Sequence, residues 1–219
     1  MYDFVRSSFV SQRELSEEVR NLVARDDVAA ALRFDGGSPL FNLLATKGAR
    51  GRGPVERLVD DDCTRAFLNR AFGIVAGELA DDLESVRSQL IAIRESVEAI
   101  ISYQIFMVEA DRDRAFAGVR MLNEFMGSRG SQRRLIVDSN QRIIVEVVSS
   151  PLEAKISEVI SEVSDILSDS EKRSRVKVCA SEGCKAPFMD RSPTNNRVWC
   201  SMAICGNRAK AKRYYHSLR

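Results

Sequence analysis

Cys179-Ala180-Ser181-Glu182-Gly183-Cys184 and Cys200-Ser201-Met202-Ala203-Ile204-Cys205 repeat one spacing, C-x4-C, with fifteen residues between the pairs. Two close pairs so placed suit a tetrahedral metal, because each pair supplies two ligands while the intervening segment folds back. Zinc takes thiolates at about 2.3 Å and needs four to close a structural site. The expectation is one structural Zn²⁺ held by Cys179, Cys184, Cys200 and Cys205, with no position left for a reactive water. Two disulfides are the alternative. Met1 to Val10 lacks a cationic start followed by an apolar run, so export is not expected and reduced thiols favour metal. Cys63 is the odd cysteine, beside Asp60, Asp61 and Asp62, and reads as a half-buried small residue.

Around the cysteines, Pro187-Phe188 and Arg197-Val198-Trp199 read as two short strands about the turn Asp190-Arg191-Ser192-Pro193. Ser201 is placed to N-cap a helix from Met202 to about His216, its hydroxyl accepting a backbone N–H. Knuckle, hairpin and ligand-bearing helix make a treble-clef-like arrangement, with Trp199 in its small core.

The run Trp199-Cys200-Ser201-Met202-Ala203-Ile204-Cys205-Gly206-Asn207-Arg208-Ala209-Lys210 resembles the CGNR zinc finger, named for Cys205, Gly206, Asn207 and Arg208. Phe188-Met189-Asp190-Arg191-Ser192 is also similar to that family. The resemblance implies a DNA-binding module of bacterial transcription regulators, whereas spacing alone implies only the metal.

Charge points the same way independently. Val176 to Arg219 carries nine Lys or Arg against Glu182 and Asp190, a surplus of seven. The whole chain is only +2, so residues 1–175 carry a deficit of five. A basic end on an acidic body is an electrostatic footprint for phosphate. On the last helix Arg208, Lys212, Tyr215 and Arg219 follow helical spacing along one face, with Lys210, Arg213 and Tyr214 beside it. Arg197, Arg208, Lys210, Lys212, Arg213 and Tyr215 are the candidate nucleic-acid contacts, Arg suited to guanine edges and Lys to phosphate. The bland alternative is a solvated helix whose cations complement its macrodipole. His216 is expected at the surface.

Upstream, Ser11 to Arg25 reads as a short helix with Leu15, Val19, Leu22 and Val23 on one side. Asp35-Gly36-Gly37-Ser38-Pro39 is a turn, and Lys47 to Pro54 a Gly/Arg-rich loop, either mobile or an anion contact. Leu32-Arg33-Phe34-Asp35-Gly36-Gly37, Asn42-Leu43-Leu44-Ala45-Thr46 and Arg52 to Leu58 resemble the ABATE domain. That resemblance implies a stress-responsive regulatory module over about residues 30–165, with an unknown small ligand at this N-terminal domain. Asp62 to Phe72 is expected helical. A longer helix is expected over Val75 to Ile101, its seam Leu79, Leu83, Val86, Leu90, Ile93, Val97 and Ile100 offering an internal helix pair or a homodimer interface. Another helix spans Asp111 to Met126. Leu135 to Val137 and Ile143 to Val148 flank Asp138-Ser139-Asn140-Gln141 as a hairpin. Pro151 opens a helix to about Leu167, and Ser168 to Arg175 is a polar linker.

The expected class is α+β, mainly helical: an N-terminal extension (1–30), an ABATE-like helical domain with one β-hairpin (31–167), a linker (168–175) and a treble-clef-like finger (176–219). No apolar run nears the ~20 residues that cross a bilayer, and a cytoplasmic protein, nucleoid-associated when bound to DNA, is expected. The body offers no convergent nucleophile, base and stabiliser, so no enzyme is expected. A DNA-binding regulator is the first reading. A protein-interaction adaptor docking an acidic partner is the alternative, as is RNA binding through Trp199, Tyr214 and Tyr215.

Overall fold

The computed structural model describes residues 32–217, apart from 35, 52, 76, 78–81, 129–132 and 148. The proposed Ser11–Arg25 helix and Leu79 lie outside the described residues. The chain is mainly helical, as expected, with three two-stranded antiparallel sheets among the described residues, one of them, at the ends of the Lys47–Pro54 loop, not expected.

Its centre is a short helix, α1 (Pro39–Leu44), started by a proline and capped by the Ser38 hydroxyl, which accepts from the Phe41 N–H. Leu40, Phe41, Leu43 and Leu44 are all buried. Each contributes about 1.5–3 kcal/mol by leaving water, which explains why so short a helix holds its place. Around it pack the helices Leu83–Gln104 and Pro151–Ser168 and the strand Pro187–Met189.

After α1 comes a small hairpin, β1 (Lys47–Gly48) paired with β2 (Val55–Glu56). α2 (Asp61–Phe67) is capped by the Asp60 carboxylate, which accepts from the Cys63 N–H. It continues as a π-turn over Leu68–Phe72 and stops at Gly73, whose φ of 70° is the left-handed conformation that closes helices. The long helix α3 (Leu83–Gln104) starts eight residues later than periodicity suggests, because Asp82 caps it through the Ser85 N–H. It pairs with α4 (Arg112–Ser128). Gly118 of α4 permits the close crossing: a Cβ there would sit 3.0 Å from Ser96 Cα of α3.

The heptad seam is consumed inside the chain. Val86, Leu90, Ile93, Val97 and Ile100 are all buried in its main core, so the homodimer interface suggested for the Leu79–Ile100 helix is corrected to an internal packing face. β3 (Arg133–Val137) and β4 (Ile143–Val147) form the expected hairpin, in register from Arg133 opposite Val147 to Val137 opposite Ile143. α5 (Pro151–Ser168) begins with a full capping box between Ser150 and Glu153. The stretch read as a polar linker is largely a helix, α6 (Ser170–Arg175), capped by Asp169.

The C-terminal part is docked on the body. β5 (Val176–Val178) pairs with β6 (Pro187–Met189), setting Val176 opposite Met189. Both belong to the main core, while Phe188 belongs to a second cluster around the cysteines. The expected strand at Arg197–Trp199 is irregular chain instead; β6 pairs with β5, in line with the Cys179 N–H donating to the Ala186 carbonyl at 2.9 Å. α7 (Asn207–Ser217) follows a π-turn, Met202–Gly206. Ser201 precedes that turn, but its hydroxyl caps nothing; its carbonyl accepts from the Cys205 and Gly206 N–H groups. Among the described residues no helix is long and apolar enough to cross a membrane.

Candidate metal centre and basic helix

Two knuckles bring the cysteines together. Cys179 follows directly on β5, and Cys184 follows a turn in which its N–H and that of Lys185 donate to the Ser181 carbonyl. Cys200 precedes the π-turn and Cys205 lies within it. All four are buried, and their Sγ atoms lie within 4.8 Å of one another. Cys184 and Cys200 sulfurs are 3.6 Å apart, and Cys200 and Cys205 3.7 Å. A bonded pair would stand at about 2.0 Å. A tetrahedron with zinc–sulfur distances of about 2.3 Å has edges near 3.8 Å. The donor set therefore fits one metal ion with four thiolate ligands, and no carboxylate or imidazole joins the cluster among the described residues.

Their electrostatics agree with that use. Packed so closely, the thiols compete for protons. Hydrogen bonds from the neighbouring Cys179 and Cys200 hold Cys184 far below the ordinary thiol range, while the Cys179 and Cys200 protons are correspondingly harder to lose. A dication replaces those protons and removes the competition. Cys63, by contrast, is fully buried rather than half-buried. Burial and the Asp60 carboxylate push its thiol up to about 11, so it is no nucleophile at neutral pH.

Asp190 fixes the segment that returns the chain to Cys200. Its Oδ2 accepts from Lys177 Nζ and the Arg197 N–H, both at 2.7 Å, and its Oδ1 from the Ser192 N–H and hydroxyl. Burial alone would raise this carboxyl, but Lys177 and Ser192 hold it well below the usual carboxylate range. Sequence reading took Asp190 only as a turn residue; nothing in its spacing signalled a four-bond hub.

The Gly/Arg loop is a clasp between body and finger. Lys47 Nζ pairs with Glu95 at 2.7 Å and Glu98 at 3.4 Å. Arg50 Nε meets Glu98 at 3.1 Å, and its guanidinium also donates to the Leu44 and Lys47 carbonyls. Arg50 N–H donates to the Cys184 carbonyl at 3.2 Å. Beside it Gly51 lies so close to the knuckle that a Cβ would stand 1.7 Å from the Glu182 carbonyl oxygen. Beneath the clasp, Arg94 is buried in α3. It donates to Glu56 Oε1 at 2.8 Å and Oε2 at 2.5 Å, to Thr46 Oγ1 at 2.9 Å and to Glu95. Desolvation would lower its pKa, but Glu56 and Glu95 raise it.

The proposed nucleic-acid contacts divide. Arg208, Lys210 and Lys212 are exposed on α7. Lys212 Nζ lies 3.0 Å from Glu182, a surface pair of little worth. Arg197 is turned inward: its Nη2 donates to the Cys200 carbonyl at 2.8 Å and the Trp199 carbonyl at 3.3 Å, and its guanidinium lies over Phe188. Its job is to hold the chain around the ligands, which corrects its assignment as an outward contact. Arg213 and Tyr215 lie in α7, but their side chains, with that of His216 and the whole of Arg219, fall outside the described ones. Trp199 packs against the cysteine cluster as expected.

Among curated proteins no significant relative of the chain was found. A family model does match its C-terminal part. Residues 175–217, the segment that gathers the four cysteines and carries α7, match the CGNR zinc finger.

Proposed function

We propose that this chain is a bacterial DNA-binding transcription regulator whose finger is folded by one structural zinc ion. The observation that carries the reading is α7, an exposed basic helix starting two residues after a buried metal ligand, Cys205. Cys179, Cys184, Cys200 and Cys205 hold the zinc. Arg208, Lys210 and Lys212 face the DNA, with Arg213 and Tyr215 from the same helix. The finger's charge surplus and its CGNR match support this. The body is an ABATE-type sensing module without enzymatic activity, working in the cytoplasm and on the nucleoid.

Fluorescence anisotropy of the zinc-loaded chain on mixed-sequence duplex DNA tests the reading. Affinity should fall with salt at a slope of about −0.9 per phosphate contact. Lys210→Ala and Lys212→Ala should each flatten that slope by roughly one contact while zinc content is unchanged. Absence of binding at low salt would refute it. That outcome would favour an acidic protein partner. For such a partner a groove of about 490 Å³ beside Trp199, Arg208 and Lys212 is the natural seat.

A further inference from the structure

We propose that the cleft between body and finger is a binding site for a small phosphate monoester. The cleft encloses about 650 Å³, within the roughly 300–1,000 Å³ usual for small-molecule sites. Arg33, Arg57 and Arg70 line it from the body and Arg208 from the finger, with Phe34 and Ile204 as apolar wall. No carboxylate lines it among the described residues.

Several arginines of the body are matched: Arg50 by Glu98, Arg87 by Asp61, Arg94 by Glu56 and Arg114 by Asp111. Arg70 and Arg208 have no ion pair or hydrogen bond to a described residue. Arg70 instead rests on the Phe34 ring, its guanidinium 4.3 Å from the centroid, which fixes the donor without neutralising it.

The other two arginines are partly engaged. Arg57 donates to the Ala45 carbonyl at 2.5 Å. A side chain at Gly48 would fill the space its guanidinium occupies, the nearest approach being 2.5 Å. Arg33 Nη1 lies 3.9 Å from Cys205 Sγ. Arg33 is engaged by a further partner as well, so the two guanidiniums left open to a ligand are those of Arg70 and Arg208. Two positive charges remain, on a concave wall with planar donors suited to phosphate oxygens. That matches a phosphate dianion, and the volume beyond the phosphate, bounded by Phe34 and Ile204, takes an apolar or aromatic ester group. A concavity between two packed units suits a small molecule better than a duplex backbone. The proposal does not rest on the DNA reading.

Calorimetric titration of the zinc-loaded full chain with inorganic phosphate and with phenyl phosphate, at fixed ionic strength, tests it. Saturable one-to-one binding is expected, tighter for phenyl phosphate. Arg70→Gln and Arg208→Gln should each weaken it about tenfold or more at unchanged zinc content and thermal midpoint. Arg112→Gln, on α4, outside the cleft lining and paired with Glu109, should leave it unchanged. Heat that never saturates, or equal affinity in all three variants, would overturn the site as mere charge screening. Binding lost only together with zinc would overturn it as well, giving the arginines to the metal. Duplex DNA binding that needs Arg70 and Arg208, without phosphate binding, would make the cleft part of a DNA footprint instead.

Discussion

Gly51→Ala adds one carbon where the structure has no room for it. The new Cβ would stand 1.7 Å from the Glu182 carbonyl oxygen and 2.9 Å from its carbon, whereas ordinary contact begins near 3.4 Å. The obstacle is backbone of the metal knuckle, and moving the Lys185 side chain, whose Cγ is 3.1 Å away, would not relieve it. Loop and knuckle must therefore part by about 1.7 Å, the difference between those two distances. The Arg50 N–H to Cys184 carbonyl bond, now 3.2 Å, cannot survive that separation. Its loss costs about 0.5–1.5 kcal/mol, and the overpacking about 1–3 kcal/mol. A total of roughly 2–4 kcal/mol lowers the thermal midpoint of a chain this size by about 5–15 °C. Thermal unfolding by circular dichroism reads the first effect. The rate of metal transfer to a chromogenic chelator reads the second, which should rise because the loop no longer braces the knuckle. A midpoint within about 1 °C of the parent and an unchanged transfer rate would refute the clasp.

Gly127→Ala is the converse substitution. Nothing lies near its Cβ position and it sits in the last turn of α4, so stability should rise by up to about 0.5 kcal/mol in urea unfolding. Arg94→Leu leaves the part-exposed Glu56 without its bidentate partner and should cost about 1–3 kcal/mol; Arg94→Lys should not fully restore it, because a single ammonium cannot span both oxygens. Glu56 gives a pH signature. Burial would raise its carboxyl, but hydrogen bonding from Arg94 takes it below the ordinary 4.5. Its contribution is thus full above about 4.5 and is lost as pH falls through the lower folded value. The urea-midpoint gap between the parent and Glu56→Gln should shrink on acidification below that point; a gap that stays constant to about pH 3 would count against the ion pair.

The cysteine cluster was legible because a metal constrains ligand spacing along the chain. The β3–β4 hairpin and α5 were legible because their signals are local: a turn-rich tetrapeptide in one, Ser150, Pro151 and Glu153 in the other. Failures came where partners are distant. Periodicity carried α3 back to Val75, yet Asp82 starts the helix, a cap visible only by preferring a local signal to the apolar spacing. Arg94 falls beside seam residue Ile93, where a charge normally marks a solvated face; Glu56 of the small hairpin and Thr46 just before it join Glu95 in permitting its burial. Arg197 looked like any exposed cation of a basic finger, because an inward turn leaves no trace in composition. The Lys47–Pro54 loop was ambiguous for the same reason, since Glu95, Glu98 and the knuckle are far away in sequence.

The strand β6 has a consequence for how the chain responds to metal supply. Phe188 faces the cysteines and Met189 the body core, on adjacent residues. Metal affinity is therefore shared between the two by mass action. An ion present at a hundred times its dissociation constant adds about 2.7 kcal/mol, and through Val176 and Met189 that increment protects the helices as well as the finger. Starved of metal, such a chain is exposed to proteolysis as a whole, and its abundance, not merely the fold of its basic helix, reports the ion.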